Sequence, residues 1–296
     1  MSRSFQPILG AKCTDLRDIR LPCIAFIKLD GWRAVWQHLE FFTRKLNAVP
    51  NREVQQLFSK LDIPTGYDGE LIYGEPNASD CFRRTDKILK SAGAPGDGIR
   101  FFVFDNAALP YPYYRRYESL QEMLPNVIRL DGHLIETYDQ LVEFEKNAVE
   151  LRYEGIVTRN PEGVYKLGRS TMNEQYLVKV KRFSHIEAKV VGFEELFRNA
   201  NPATLDGRGY TQRSTHAEGK IPAGVLGALI VHWRGQELRV GTGFTSKERR
   251  EIWLHRSNFL GHLARIKHLN TGAKPVDEGG TGIRPPLVFT GFRHDL

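Results

Sequence analysis

Short apolar runs recur through the first 182 residues: CIAFI, EFFT, GELIY, FFVFD, GIVT and YLVKV. Each has strand length and is bounded by polar or turn-forming residues. Between them, Asn51 to Leu61, Arg115 to Leu124 and Asp139 to Leu151 carry apolar residues at helical spacing. This mixture predicts an α+β domain with a mostly antiparallel sheet. Strict strand–helix–strand alternation is missing and no GxGxxG occurs, which disfavours a dinucleotide-binding Rossmann fold.

The pattern changes after Arg182. Ile186 to Phe193 reads as a strand, followed by a polar, glycine-bearing, basic stretch from Asn199 to Gly224. A structureless loop of that length inside a compact domain is usually functional or disordered. LGALIVHW and ELRVGTGF then flank Arg234-Gly235-Gln236, a hairpin signal. Thr245 with Glu248 predicts a capping box opening a helix through Ile252 and Trp253, and PLVFTGFR predicts a last strand. Short strands, one helix and long loops predict a small Greek-key barrel of the OB type. The expected boundaries are 1–182 and 183–296.

Composition narrows the partners. Lys plus Arg number 42 against 35 Asp plus Glu, a net charge of +7 over 296 residues. With 41% hydrophobic and 26% charged residues, the chain has a folded protein's balance, and its basic excess suits a polyanion such as nucleic acid. The three cysteines, Cys13, Cys23 and Cys81, form no CxxC pair, so a zinc ribbon or a disulfide framework is not expected. The first residues do not read as a signal peptide, and no run of about eighteen apolar residues predicts a membrane span. A cytoplasmic location without membrane association is the expectation.

Six motifs carry chemistry. In KLDGWR, Lys28 ends an apolar strand, where partial desolvation favours the neutral, nucleophilic amine. Gly31 is expected to permit a tight turn, Arg33 to grip a phosphate, and Asp30 to hold a metal or orient a substrate. In TRK, Arg44 is placed to reach a phosphate. In DGEL, strand period puts Asp68, Glu70 and Ile72 on one face, suiting ribose hydroxyls or a metal ion. In FFVFD, Phe102 and Phe104 share a face that suits stacking on a purine. In EGIV, Glu154 enters a buried strand as a natural Mg²⁺ ligand. In YLVKVKRF, Lys179 and Lys181 point to one face, and an opposing polyphosphate would relieve their repulsion. Each motif alone also has a plain structural explanation: a strand exit, a surface arginine, a solvated edge or core packing. Their order along the chain is what makes chance assembly improbable.

In that order the motifs resemble those of the covalent nucleotidyltransferase superfamily: ATP-dependent DNA ligases, RNA ligases and mRNA capping enzymes. RSTHAEGK, VGTGFT and the closing RPPLVFTGFRHDL resemble the OB domain of minimal, chlorovirus- or phage-like DNA ligases. Arg284-Pro285-Pro286 departs from that pattern, where an aromatic usually separates Arg from Pro. The resemblance implies an antiparallel-sheet nucleotidyltransferase domain followed by an OB-fold β-barrel, with 199–222 as a latch that clamps DNA.

The resemblance also implies roles. Lys28 would become AMP-lysine, with Asp30 and Arg33 catalytic beside it. Arg33 and Arg44 would contact nucleotide or nick phosphates. Glu70 would bind ribose, and Phe104 would stack on adenine. Glu70 and Glu154 would serve Mg²⁺ or Mn²⁺. Lys179 and Lys181 would hold the α-phosphate, and Arg293 would orient the departing pyrophosphate. The implied activity is ATP-dependent sealing of 3′-OH/5′-phosphate nicks in double-stranded DNA through enzyme–AMP and DNA–adenylate. Arg208, Arg213 and Lys220 would touch DNA phosphates. The enzyme would be a monomer with no obligate protein partner, in a host-cell cytoplasm if it is viral. An RNA ligase or a GTP-dependent mRNA capping guanylyltransferase is the alternative.

Overall fold

The computed structural model describes residues 6–120, 124–181, 183–206, 210–214, 216–269 and 283–293. Its contacts divide the chain into two compact units, Met1–Arg182 with Leu205–Tyr210, and Phe183–Thr204 with Thr211–Leu296.

The first unit opens with β1 (Ala11–Cys13), β2 (Cys23–Ile27), β3 (Trp32–Gln37), β4 (Glu40–Thr43), α1 (Arg52–Ser59), β5 (Tyr67–Tyr73) and α2 (Cys81–Lys90). It continues with β6 (Ile99–Asn106), α3 (Tyr113–Glu118), β7 (Val127–Arg129), β8 (His133–Ile135), α4 (Tyr138–Glu150), β9 (Ile156–Arg159) and β10 (Val178–Val180). Two five-stranded sheets result, ordered β1-β10-β9-β2-β8 and β4-β3-β5-β6-β7. Only β1–β10 and β6–β7 are parallel among their described pairings. The antiparallel α+β expectation therefore holds.

Alternation along β2 builds the space between the sheets. Cys23 and Ala25 enter a core with Leu141 and Ile156, whereas Ile24 and Phe26 enter another with Ile72, Phe102 and Leu130. The second core bridges the two sheets, and the chain crosses between them at Lys28 to Gly31. Gly31 is needed there for close approach: a Cβ would lie 2.3 Å from the Leu71 carbonyl oxygen. Gly31 also sits at a bend of the connection, and Leu71 lies opposite Trp32 in the β3–β5 pairing, so the close approach is to the strand that β3 joins.

Helix ends follow their caps. Asn51 Oδ1 accepts from Val54 N at 2.9 Å to start α1, and Thr137 with Gln140 forms a capping box on α4. The stretch 81–90 is not among the expected helices, yet α2 forms there. Its buried face is Cys81, Thr85 and Leu89, spaced by four, with Phe82 and Ile88 packed beside it at helical spacing. Helix α3 is shorter than the expected 115–124, and residues 121–123 lie outside the described ones. Its buried face includes Arg116, whose guanidinium pairs with buried Asp105 at 2.7 Å.

The second unit carries β11 (Phe183–Asn199), β12 (Ala203–Leu205), β13 (Thr211–Arg213), β14 (Lys220–Trp233) and β15 (Gln236–Val240). It ends with α5 (Ser246–Leu254), α6 (Arg256–Phe259), β16 (Leu263–Leu269) and β17 (Arg284–Phe292). The sheet order is β15-β14-β11-β16-β17. Edge strand β17 also bridges Thr242, just past β15, in a parallel contact at Val288, and Phe289 N donates to Thr242 O at 2.8 Å. That order with meeting edges is the OB-type arrangement. Its core gathers Val190, Leu229, Val231, Val240, Ile266 and Phe289.

Two local expectations hold and one is corrected. Thr245 and Glu248 form the capping box, with Glu248 N donating to Thr245 Oγ1 at 3.1 Å. Arg234 and Gly235, both at positive φ, make the two-residue hairpin turn, and Gln236 joins β15. The stretch 199–224 is not one long loop. Strands β11 and β14 meet at its two ends, with Asn199 opposite Lys220, and between them β12 pairs with β13. These strands are exposed, so no apolar alternation marks them. Arg208 lies outside the described residues.

Candidate active site

The site forms in the first unit, between its two sheets. Lys28 leaves β2 while its backbone N–H still donates to Gly155 O at 2.8 Å, so the side chain is fixed at the sheet's end. Its ammonium is only 15% exposed and donates to Glu154. The other oxygen of Glu154 accepts from Lys181. Burial pushes the Glu154 carboxyl up, but the charges of Lys28 and Lys181 outweigh it and hold the group at about 2. One carboxylate thus serves two cations, leaving a net positive cluster.

Lys179 adds to that field. It sits opposite Val157 in the β10–β9 pairing and lines the same pocket as Lys28. Its stem runs over Gly10, where a Cβ would meet Lys179 Cγ at 2.7 Å. Burial, then the charges of Arg33 and Lys28, lower its amine to about 8. An anion entering the pocket would find an under-neutralised group of lysines.

Arg33 stands opposite Glu70 on the β3–β5 pairing. Its guanidinium forks onto fully buried Asp68, with Nη2 to Oδ2 at 2.6 Å. Tyr165 Oη also donates to Asp68 at 2.6 Å. Because β5 is central in its sheet, the Asp68–Glu70 face is enclosed rather than a solvated edge. Glu70 accepts from Gly31 N at 3.2 Å, and burial, opposed by Lys28 and Arg33, raises it to about 7. Asp30 is half-buried on the same connection, and its carbonyl accepts from Cys81 Sγ at 3.4 Å.

Of the aromatic pair, only Phe104 lines the pocket. The β5–β6 register passes from Asp68–Asp105 to Gly69–Val103, which skips Phe104. That bulge turns Phe104 into the pocket wall, with the Arg33 guanidinium 4.5 Å from its ring centroid. Phe102 stays in the core beside Ile72 and Cys81. Both rings pack on the same core cluster, as the shared face expected from the sequence requires, but only Phe104 reaches the pocket. Leu177, Leu130 and Val157 supply further apolar pocket surface.

Arg44 follows β4 at the pocket wall and donates to the Tyr210 hydroxyl. Arg44 and Lys45 lie 5.3 and 5.4 Å from the Tyr210 centroid. Arg293 belongs to the second unit, just beyond β17, where Nη1 donates to Glu187 at 3.0 Å. The residues the sequence did not single out are Tyr165, Tyr113 and Arg159. They act through buried polar contacts, and only a charged residue closing a buried strand, as Arg159 does in GIVTR, hints at one of them.

A divalent cation has hard oxygen donors available in Glu154 and Glu70. No cluster of three or more His, Cys, Asp or Glu side chains able to hold a metal exists among the described residues. That donor set fits Mg²⁺, which binds through one or two carboxylates plus substrate phosphates rather than an all-protein cage. No helix among the described residues is long and apolar enough to cross a membrane.

Comparison with known proteins agrees with this geometry. The DNA ligase of Haemophilus influenzae is 26% identical over 231 residues, 75% of this chain and 73% of that protein. A DNA ligase of African swine fever virus is 24% identical over 156 residues, 49% of this chain and 35% of that protein. Among solved structures, a Chlorella virus DNA ligase–adenylate is 25% identical with a TM-score of 0.54, covering 99% of each chain. A structure from the Lig E DNA ligases has a TM-score of 0.65 at 22% identity, covers 96% of this chain and 99% of that one, and shares the fold. The family model described as the ATP dependent DNA ligase domain matches residues 7–181, more than half of the sequence. The chain therefore belongs to the ATP-dependent DNA ligase family.

Proposed function

We propose that this ligase seals nicks in duplex DNA by carrying AMP on Lys28. The observation that supports it most directly is the Lys28 amine, held by Glu154 beside Lys181 in a pocket that Lys179 also lines and Phe104 walls.

Lys28 Nζ gives up a proton to solvent, and its freed lone pair attacks the α-phosphorus of ATP. A P–N bond forms, the α–β P–O bond breaks, and pyrophosphate departs. A 5′-phosphate oxygen at the nick then attacks the same phosphorus, giving DNA–adenylate and returning the lysine. The 3′-hydroxyl oxygen finally attacks the nick phosphorus and AMP leaves. Each step is a phosphoryl transfer, so catalysis rests on in-line placement and charge neutralisation.

The residues divide that work. Glu154 orients Nζ, and Lys179 and Lys181 oppose the α-phosphate charge. Phe104, braced by Arg33, stacks on adenine, while Glu70 accepts from a ribose hydroxyl. Arg33 and Arg44 contact nucleotide or nick phosphates, Asp30 is a catalytic group beside Lys28, and Arg293 orients pyrophosphate. Mg²⁺ or Mn²⁺ held by Glu154 and Glu70 with the phosphates would add neutralisation of the departing oxygens.

The domain roles follow the same reading. Residues 1–182 form the adenylyltransferase domain, and 183–296 the OB domain whose 199–222 segment clamps DNA. The enzyme works as a monomer in a cytoplasm on nicked double-stranded DNA. The family match favours DNA ligase over RNA ligase or capping guanylyltransferase. Labelled ATP against labelled GTP, followed by nicked DNA against nicked RNA, tests this. Label from ATP and sealing of DNA are expected; GTP labelling or RNA-only sealing would overturn it.

A further inference from the structure

A buried cation at the far end of the pocket is not used by the steps above. Arg159 closes β9, and strand period puts it on the same face as Val157; both line the pocket. In the β2–β9 register, Phe26 faces Val157 and Ile24 faces Arg159. Moving along these strands from Lys28 therefore leads away from the phosphate-binding end and past the apolar wall to Arg159.

The guanidinium is 2% exposed and lies 4.2 Å from the Tyr113 ring centroid. Its Nη2 meets Asp105, but that carboxylate also receives both prongs of Arg116, at 2.7 and 3.2 Å. Nε and Nη1 of Arg159 are buried and have no hydrogen-bond partner among the described residues. Burial, then the nearby Arg33 charge, makes its protonated state costly. Buried donors of this kind are ordinarily satisfied by protein, water or ligand.

We propose that Arg159 is a base-reading residue: its free donors hydrogen-bond an unprotonated ring nitrogen of the bound purine. The inference rests on Lys28 and Phe104 forming the nucleotide site. Phe104 supplies area to any base, whereas a donor facing a ring nitrogen distinguishes bases by their acceptors. Arg159 thereby becomes a specificity determinant, with Tyr113 and Asp105 holding its plane.

The test is ATP binding and lysyl-AMP formation with ATP and its 1-deaza, 3-deaza and 7-deaza analogues, in which one ring nitrogen becomes C–H. In the wild type, one analogue is expected to bind roughly 10- to 100-fold more weakly than ATP, the worth of a hydrogen bond from a charged donor. Arg159→Met should lose a similar factor toward ATP and show no further loss with that analogue. Arg159→Lys keeps the charge without the fork, and should likewise erase the discrimination while preserving the thermal melt. Equal binding of all three analogues and ATP by the wild type overturns the proposal without need of a variant. So does an analogue penalty that persists in Arg159→Lys. Failure of the wild type to form lysyl-AMP with ATP would instead overturn the underlying nucleotide-site reading.

Discussion

The Lys28 ammonium and the Glu154 carboxylate form an ion pair in which the acid is 4% exposed and also engages Lys181. On the proposed mechanism Lys28 loses its positive charge when it takes AMP, which would leave Glu154 with Lys181 alone. Glu154→Gln removes the charge that offsets two ammoniums. We expect about 3 kcal/mol loss of stability in urea unfolding, the scale of breaking a buried pair. Lysyl-AMP formation should slow by about 100-fold from the misplaced amine.

The same pair predicts an acid transition. Glu154 has a folded-state pKa of about 2, below the ordinary carboxylate value of 4.5. Its contribution is present above 4.5 and is lost as pH falls toward 2, where the folded state must also take up the proton. Stability of wild type minus Glu154→Gln should therefore shrink across that window and be flat from pH 5 to 7 apart from other groups. A difference that grows on acidification would contradict the ion-pair reading.

Glu70 predicts the opposite slope. Burial raises it to about 7, so the folded protein holds a proton that the unfolded chain releases near 4.5. Wild type should gain stability relative to Glu70→Gln as pH falls from 7 to 4.5. Paired denaturant melts at those two pH values check the sign. ATP should reduce the effect if ribose hydroxyls engage this carboxylate.

Phe104 links the bulge to nucleotide affinity. Phe104→Ala should raise the ATP Kd by about tenfold or more, the range of one base-stacking contact, whereas Phe104→Tyr should keep most of it. Asp68→Asn should weaken ATP binding as well, because Asp68 fixes the Arg33 fork that lies over the ring. Isothermal titration separates this from a change in the rate of lysine adenylylation.

The fold was legible where burial and polarity coincide. CIAFI, GELIY and FFVFD became β2, β5 and β6 because their apolar residues pack between sheets. Helix α2 is not among the expected helices although Cys81, Phe82, Ile88 and Leu89 keep helical spacing, and the β11–β14 ribbon was not legible because its exposed backbone ladder leaves no hydrophobic period. At the site, ordered motifs marked Lys28, Glu70, Phe104, Glu154 and Lys179, which the structure places around one enclosed pocket or its immediate wall. Their electrostatic partners stayed hidden. Asp68 with Tyr165, and Asp105 with Arg159, are joined across long sequence separations by buried polar contacts, and Arg116 reaches Asp105 from the nearby α3.

The 199–222 ribbon predicts how DNA is held. Deleting residues 201–220 should weaken nicked-duplex binding while sparing lysyl-AMP formation. Its basic residues Arg213 and Lys220 are exposed, and wild-type affinity should fall linearly in log–log dependence on salt. The deletion should flatten that slope. Equal loss of DNA binding and lysine adenylylation would contradict a clamp.

The central claim is tested most directly by intact-protein mass spectrometry after incubation with ATP and Mg²⁺, with peptide mapping of the product. The account predicts one added adenylyl group on the peptide containing Lys28, absent from Lys28→Ala and discharged by nicked DNA. A folded wild-type protein without the adduct, or an adduct that survives in Lys28→Ala, would contradict it.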